Sequence, residues 1–297
     1  MMGGKVKVIL SMLIFGTLSI FVRQIPLETN QIAFYRGALG SLFLVGTLLL
    51  KKERIPFKSI QKNGKFLLLS GFAVGANWIL LFEAYRYTTV SNATISYYFQ
   101  PIMLTLLAPL VLKEALTVKK FSFVLLAMIG MVFIIGFSGS SMGYNHPLGI
   151  GFGLTAALFY AIAIISNKKV TGLSDLHLTA LTLIIATVIL LPYVLLTTGL
   201  GTSQLTMPSL LSLLVLGIVH TGIAYVFVFS GLQQIEGQTF AVLSYIDPLT
   251  AVIISATVLK EPISGLQLFG GALVLAATFM NEYFTGKGQK TEQIKER

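Results

Sequence analysis

Long apolar stretches alternate with short polar or basic stretches along the whole chain. A helix needs about 20 apolar residues to cross the hydrocarbon core of a bilayer. Ten stretches approach that length, and we predict a membrane-spanning helix in each. They cover residues 6–22, 32–50, 66–82, 92–112, 121–137, 148–166, 178–198, 210–231, 238–259 and 266–284.

The second half of this pattern repeats the first. Residues 83–116 align without a gap on residues 230–263, which lie 147 positions later. Tyr98 then aligns with Tyr245, Pro101 with Pro248, and the V-L-K-E of 111–114 with that of 258–261. In an apolar chain, such self-similarity indicates a transporter built from two structural repeats, with broken helices near the bilayer centre.

The basic residues of the short loops predict the orientation, because cytoplasmic loops carry an excess of Lys and Arg. With the N-terminus in the cytoplasm, seventeen of the 21 Lys and Arg are cytoplasmic, three are outside and Arg36 lies within a span. Both termini are then cytoplasmic. Five spans per half is an odd number, so the second half enters from the opposite face. We predict an all-α integral membrane protein of two inverted five-helix repeats.

The composition of the chain limits the classes of partner and cofactor that we expect. Hydrophobic residues make up 55% of the chain and charged residues only 11%. The net charge of +10 reflects membrane topology and does not indicate nucleic-acid binding. Cysteine is absent, the three histidines are scattered, and there is no G-x-x-x-x-G-K-[ST] motif. We therefore expect no metal, no other cofactor and no ATP hydrolysis. The expected partners are the bilayer and a small molecule.

The repeated stretch carries a family resemblance. The central prolines (Gln100-Pro101 and Asp247-Pro248), the closing L-K-E of both copies and the early Arg36 of the second span are similar to the drug/metabolite transporter superfamily, in its type with two EamA domains. The resemblance implies ten helices, cytoplasmic termini and a central cavity that opens alternately to each side. It also divides the chain into a first repeat (1–137), a linker (138–147), a second repeat (148–285) and a cytoplasmic tail (286–297).

Pro101 and Pro248 fall near the middle of spans four and nine. A mid-helix proline removes a backbone hydrogen bond and clashes with the carbonyl four residues before it. Pro101 is therefore expected to free the carbonyl of Tyr97, and Pro248 that of Ser244. Both prolines are hinge candidates, and a static kink satisfied by neighbouring groups is the alternative.

Asp247 lies about nine residues from either end of its span. An ionised carboxylate at this depth is costly, so it should face the bundle interior or water. It is a candidate for binding a cationic group or for proton coupling. The alternative is a carboxyl group satisfied by Ser, Tyr or freed backbone groups. The first repeat has Gln100 at the equivalent position, so only one half supplies this charge.

Three further polar residues lie within or near the ends of spans. Arg36 is a candidate for binding a substrate carboxylate, because its guanidinium pairs with carboxylates in a bidentate way. The alternatives are that Arg36 snorkels outward or pairs with Glu83, which is itself a proton-coupling candidate. His220 lies near mid-depth in span eight; it is either a packed, hydrogen-bonded residue or a proton relay.

Amphipathic side chains at intermediate depth complete the set of candidates. Aromatic faces hold apolar or cationic groups. The predicted substrate-binding residues are Arg36, Asn77, Trp78, Tyr97, Gln100, Tyr225, Ser244 and Asp247.

These features favour a secondary transporter of the cytoplasmic membrane that exports an amino acid or a similar amphipathic metabolite, with proton coupling as an option. The alternatives are uptake of another small solute, exchange of a nucleotide-sugar-like molecule, or drug transport. A phosphate-binding cavity should be more basic than one with Arg36 alone. An intramembrane enzyme is disfavoured, because the scattered histidines and the lack of cysteine offer no catalytic constellation. A monomer is expected, with a dimer as the alternative.

Overall fold

The computed structural model describes residues 2–114, 116–135, 145–202, 205–258, 260 and 264–295, and the described residues are helical apart from short turns and loops. Fourteen α-helices and one π-helical segment form the ten spans, numbered in chain order. Spans 1 to 5 are α1 (Gly4–Gly16) with α2 (Leu18–Val22), α3 (Thr29–Leu50), α4 (Phe57–Tyr87), α5 (Val90–Tyr97) with α6 (Gln100–Leu112), and α7 (Val118–Ile135). Spans 6 to 10 are α8 (His146–Lys169), α9 (Asp175–Thr197), α10 (Met207–Val215) with the π segment (Leu216–Ile223) and α11 (Ala224–Leu232), α12 (Gly237–Leu243) with α13 (Ile246–Thr257), and α14 (Gly265–Lys295).

The length and hydropathy of the helices confirm the predicted all-α membrane fold. Within the described part of the chain, nine helices are long and apolar enough to cross a membrane, and the tenth has a shorter apolar stretch at Gly265–Asn281. Span 3 begins nine residues earlier than predicted, at Phe57. Its polar first turns are anchored to the turn after span 6, because Asn63 Nδ2 donates to Thr171 O (2.8 Å) and Thr171 N donates to Asn63 Oδ1 (3.1 Å).

Spans 4 and 9 are interrupted just before their prolines. The helices stop at Tyr97 and at Leu243 and restart at Gln100 and at Ile246. Each proline thus lies in the first turn of a new helix, where its missing N–H breaks no intrahelical bond. The expectation of a freed Ser244 carbonyl is wrong, because that oxygen accepts the Asp247 N–H at 3.3 Å.

Spans 1 and 8 are also irregular, which the sequence analysis did not anticipate. Span 1 is interrupted at Thr17, between α1 and α2. Span 8 contains the π segment Leu216–Ile223. Short π segments inside α-helices occur frequently at functional sites. Within the described residues, four of the ten spans therefore depart from regular α-helix.

The extensive helix contacts join one half of the chain to the other. Span 3 packs on spans 6 and 7, as span 8 packs on spans 1 and 2. Span 4 packs on span 6, as span 9 packs on span 1. Spans 2 and 7, 4 and 9, and 5 and 10 pair with each other. If each span is exchanged for its equivalent in the other half, five spans along, the same set of pairs results. A two-fold axis relating the two halves produces this symmetry.

Some predicted features lie outside the described residues. They are Leu259 and Glu261 of the second V-L-K-E, Phe137, and most of the linker 138–147. The predicted domain boundaries remain predictions. In the tail, the described backbone of α14 continues as far as Lys295.

Candidate central transport site

The interruptions of spans 4 and 9 meet at the interface of the two halves. The Tyr245 hydroxyl donates to the carbonyl of Tyr98 at 3.2 Å. These tyrosines occupy equivalent positions of the two repeats, so the contact lies at the approximate two-fold axis. Beside it, Gln100 Nε2 donates to Ser244 Oγ at 3.5 Å. The structure thus brings together Gln100 and Ser244, two of the predicted substrate-binding residues.

Asp247 lies in the first turn of α13 and is only partly buried. Among the described residues, its carboxylate makes no side-chain hydrogen bond and no ion pair. Ser244 and Thr250, the hydroxyl residues on the same helix face, donate instead to the carbonyls of Ala241 (2.7 Å) and Ile246 (2.7 Å). Four tyrosines lie within electrostatic range of the carboxylate: Tyr97, Tyr98, Tyr160 and Tyr225. The structure therefore favours an available carboxylate over the satisfied one.

Arg36 of α3 also lacks a counter-ion. Its Cζ lies 5.1 Å from the centroid of the Trp78 ring, and its Nε is buried without a hydrogen-bond partner. No side-chain hydrogen bond or ion pair joins it to the described residues. The guanidinium faces Tyr225, with which it interacts electrostatically. A cation stacked on a ring but lacking an acceptor is suited to bind an anionic group.

Glu83 is not the partner of Arg36. Its carboxylate accepts from Arg86 Nη1 at 2.9 Å and from the Tyr193 hydroxyl at 2.6 Å. The predicted pairing of Arg36 with Glu83 is therefore absent from this structure. Glu83 is a proton-coupling candidate that already has two hydrogen-bond donors.

Aromatic rings pack around Arg36 and beside the interruption of span 4. Trp78 and Tyr225, which are equivalent in the two repeats, meet edge to face with centroids 6.5 Å apart. Tyr97 contacts Tyr160 at 6.3 Å and Tyr98 at 5.8 Å. Asn77 is fully buried and donates to the carbonyl of Ala156 at 2.8 Å, close to the Tyr97 hydroxyl. We call Arg36, Trp78, Tyr225 and Asp247 the central site.

A cavity of about 600 Å³ opens at one end of the bundle, between the ends of spans 2, 3 and 7. On α4, Phe82 and Tyr85 lie four and seven residues beyond Trp78, so all three share a helix face. On α3, Asn30 lies six residues before Arg36. The cavity is therefore lined one to two helical turns away from Trp78 on α4 and from Arg36 on α3. It is lined by Glu28, Thr29, Asn30, Phe82, Tyr85, Arg86, Tyr193, Leu196, Thr197 and Thr198.

Comparison with known proteins identifies the architecture. The model of the EamA-like transporter family matches the chain twice, over residues 2–136 and 147–283. The chain belongs to the EamA-like transporter family.

Several of its relatives are named as transporters. An uncharacterized transporter of Bacillus subtilis (strain 168), YxxF, is 27% identical over 97% of this chain and 94% of its own length. A probable amino-acid metabolite efflux pump of Salmonella typhimurium is 29% identical over 87% of this chain and 86% of its own. Protein PecM of Dickeya dadantii is 26% identical over 81% of this chain and 80% of its own. A crystal structure with 15% identity has a TM-score of 0.81 over 93% of this chain and 97% of that one, which shows a shared fold.

Span 1 of this EamA transporter contributes to the site in a way that sequence reasoning missed. A Cβ on Gly16 would lie 2.8 Å from the carbonyl oxygen of Asp247 and 2.4 Å from Thr250 Cβ. The backbone of span 1 thus packs directly on the helix turn that carries Asp247. Phe15 contacts the Tyr225 ring at 5.5 Å. Gly16-Thr17 in the middle of an apolar stretch was the available signal.

His220 links the irregular parts of spans 1 and 8. Its Nε2 lies 2.9 Å from Thr17 Oγ1, and this hydroxyl donates to the carbonyl of Ile14. Its Nδ1 lies 3.4 Å from the carbonyl oxygen of Val215. The ring also meets Phe21 edge to face at 5.2 Å. These contacts favour the packed, hydrogen-bonded histidine, and a proton relay through His220 stays a prediction.

Proposed function

We propose that this EamA transporter binds a small zwitterion, of the amino-acid class, at the central site. The observation that carries the proposal is a pair of opposite charges without partners. Arg36 and Asp247 each lack an ion pair with the described residues, and both interact electrostatically with Tyr225. Unpaired ionisable groups within spans are costly and mark substrate or ion pathways. A carboxylate on Arg36 and an ammonium on Asp247 would satisfy both.

The aromatic lining supports an amphipathic substrate. Trp78 packs against Arg36 and Tyr225, and Tyr225 interacts electrostatically with both charges; the faces of these rings are suited to apolar groups and to a cation. The name of the Salmonella relative, a probable amino-acid metabolite efflux pump, agrees with this substrate class and favours export. The single guanidinium of the central site argues against a phosphorylated substrate, which would call for more positive charge.

The irregular spans suit alternating access. Irregular backbone inside a membrane is tolerated where it is buried in protein or lines a cavity. The interruptions at 98–99 and 244–245 lie beside the central site, and the cavity lies between the ends of spans 2, 3 and 7. We propose that Pro101 and Pro248 allow the halves of spans 4 and 9 to move relative to each other. We place the protein in the cytoplasmic membrane with both termini in the cytoplasm.

Proton coupling is a second candidate role for Asp247. The carboxylate has no fixed partner among the described residues, so it is available to a proton as well as to an ammonium group. In the proton-coupled case, the proton and the substrate would compete for the same oxygen atoms. Glu83 and His220 are weaker candidates because both are engaged in hydrogen bonds.

Transport in proteoliposomes tests the proposal. Purified protein is reconstituted, the vesicles are loaded with labelled amino acids, and efflux is measured with and without an imposed pH gradient. We expect efflux of at least one amino acid above protein-free vesicles, and its loss in Asp247→Asn. Absence of efflux for the whole amino-acid set would contradict the substrate class. Unchanged efflux in Asp247→Asn would assign the residue a structural role.

A further inference from the structure

Spans 4 and 9 are packed together at one end of the bundle only. The second half of span 4, α6, and the first half of span 9, α12, run antiparallel and form an extensive contact, which we call the seam. Gln100 and Ser244 meet at its central end, whereas a Cβ on Gly237 would lie within 3.7 Å of Ala108 at its other end. In the part of the chain that the structure describes, α5 and α13 form no comparable contact. The molecule is thus closed at the end that carries Glu114.

A buried ion pair fastens this closed end. Both carboxylate oxygens of Glu114 accept the Gly237 N–H, at 3.0 and 2.9 Å. Lys168 Nζ donates to Glu114 Oε1 at 2.5 Å and to the carbonyl of Ile235 at 2.6 Å. The side chains of Lys168 and Glu114 are only 18% and 10% exposed, so water weakens the pair little. We call Glu114, Lys168 and Gly237 the latch; it joins spans 4, 6 and 9.

The backbone before Glu114 is set for this contact. Lys113 has a φ of 59°, in the left-handed region that non-glycine residues rarely adopt. The turn ends α6 and is followed at once by Glu114. Lys260, the equivalent residue of the second repeat, has a φ of 58°. The lysines of the two V-L-K-E copies therefore share this backbone conformation.

Between the latch and the central site, α6 and α12 carry buried polar atoms that have no hydrogen-bond partner among the described residues. Gln100 Oε1, Thr105 Oγ1 and both amide atoms of Gln238 are inaccessible and make no hydrogen bond. Gln238 and Thr105 are both fully buried. Buried polar groups without partners cost free energy and are rare in native structures, so each needs an explanation.

We propose that Gln100, Thr105 and Gln238 line the half of the transport path between the central site and the Lys113–Glu114 end, and that the latch closes this half in the structure. When the latch opens, α6 and α12 separate, and these polar groups contact water or the substrate. Because these groups lack hydrogen bonds while the latch is closed, the free energy of the closed state is raised. The free energy difference between the closed and the open state is then smaller. The proposal rests on membership of a transporter family and is independent of the zwitterionic substrate.

Cysteine reactivity tests the path, because the native chain contains no cysteine. Thr105→Cys and Gln238→Cys are placed in the wild-type background and in latch variants Glu114→Gln and Lys168→Gln. The probe is a water-soluble methanethiosulfonate, and the measurement is the labelling rate of folded, monodisperse protein. We expect slow labelling in the wild-type background and at least a tenfold faster rate in either latch background. The two latch variants keep the test decisive if one of them fails to fold.

Two matched controls separate a path from general loosening. Ala127→Cys lies in span 5 and is also fully buried, but it is outside the seam, so its labelling should stay slow in all backgrounds. Lys120→Gln removes the neighbouring ion pair with Glu236, whose carboxylate side chain is 45% exposed, and should accelerate labelling far less. Equal acceleration at Ala127→Cys, or none at either seam cysteine, overturns the proposal. Neither result depends on whether the substrate is an amino acid.

Discussion

The two repeats share a scaffold but differ in charge at the central site. Trp78 and Tyr98 of the first repeat face their equivalents Tyr225 and Tyr245 across the approximate two-fold axis. The position of Asp247 is occupied in the first repeat by Gln100. Shape is thus duplicated, while the acidic group is supplied once.

Arg36 shows the same asymmetry in the opposite direction. The residue 147 positions later is Leu183, which is fully buried. The first repeat therefore supplies the cation of the site and the second supplies the anion. A duplicated scaffold allows two conformations of related geometry, and a single pair of charges allows a substrate to bind in one orientation.

Equivalent residues of the two repeats should be accessible from opposite sides of the membrane. Thr117 and Ser264 are equivalent, exposed residues that each bond the first turn of the next helix, at 3.3 Å for Lys120 N and 3.2 Å for Gln267 N. In inverted repeats they lie on opposite faces of the membrane. A membrane-impermeant thiol reagent on intact cells should label Ser264→Cys and leave Thr117→Cys unlabelled until the membrane is permeabilised. Labelling of both from the same side is incompatible with inversion.

Removing either central charge should nearly abolish transport. A hydrogen bond to a charged group contributes about 1.5–3 kcal/mol, which corresponds to roughly ten- to a hundredfold in binding. Arg36→Gln should weaken substrate binding by that factor and leave the remaining transport sensitive to pH. Asp247→Asn should in addition remove the response to a pH gradient, because the amide does not titrate.

Glu83→Gln is the matched control for these variants. Its carboxylate is engaged by Arg86 and Tyr193, so we expect a smaller loss of transport. Efflux from proteoliposomes measures all three variants side by side. A loss in Glu83→Gln as large as that in Asp247→Asn would shift the proton-coupling role to Glu83.

The prolines should matter in both repeats. Pro101→Ala or Pro248→Ala restores a backbone N–H and favours a continuous helix through the interruption. We expect transport to fall by about an order of magnitude while expression and membrane insertion are retained, because the lost hinge raises the barrier between states by about 1.4 kcal/mol. Pro192→Ala, within α9 and away from the central site, is the control. Full transport in the double variant would leave the static-kink interpretation in place.

Gln238→Leu should give the smallest effect and act on stability. Replacing an amide that lacks partners with an apolar group removes a desolvation cost of about 1–3 kcal/mol from the closed state. We therefore expect a higher melting temperature together with slower transport, since the closed state becomes harder to leave. A lower melting temperature, measured on purified protein, would show that the amide is satisfied in solution.

Hydropathy, loop charges and the repeat were sufficient for the class of fold. They predicted helical spans and the two interruptions marked by proline, since these signals reside in single residues. They did not predict the interruption at Thr17 or the π segment around His220. Neither has a proline, and the two irregular stretches contact each other through Thr17 and His220. Such a feature depends on tertiary contacts that a linear pattern does not encode.

The residues of the candidate central site were selected from the sequence, but the contacts between side chains from distant parts of the chain were not. Asp247 and Arg36 stand out in apolar spans, and both lie beside the aromatic residues selected with them. The partners of Glu83 were not predictable, because Tyr193 lies 110 positions away in span 7. The latch was missed for the same reason: Glu114 and Gly237 come together only when spans 4 and 9 pack.

Thermal unfolding of the purified protein with a matched set of ligands tests whether the central site binds a zwitterion. Each amino acid is compared with its amide, which lacks the carboxylate, and with its deaminated acid, which lacks the ammonium group. A ligand at a hundred times its Kd stabilises the native state by about 2.7 kcal/mol, so the shift in Tm is measurable. We expect that at least one amino acid raises Tm, that neither analogue does so, and that Arg36→Gln and Asp247→Asn each abolish the shift. An amide or a deaminated acid that stabilises the wild-type protein as well as the amino acid, or a full shift in either variant, would contradict this expectation.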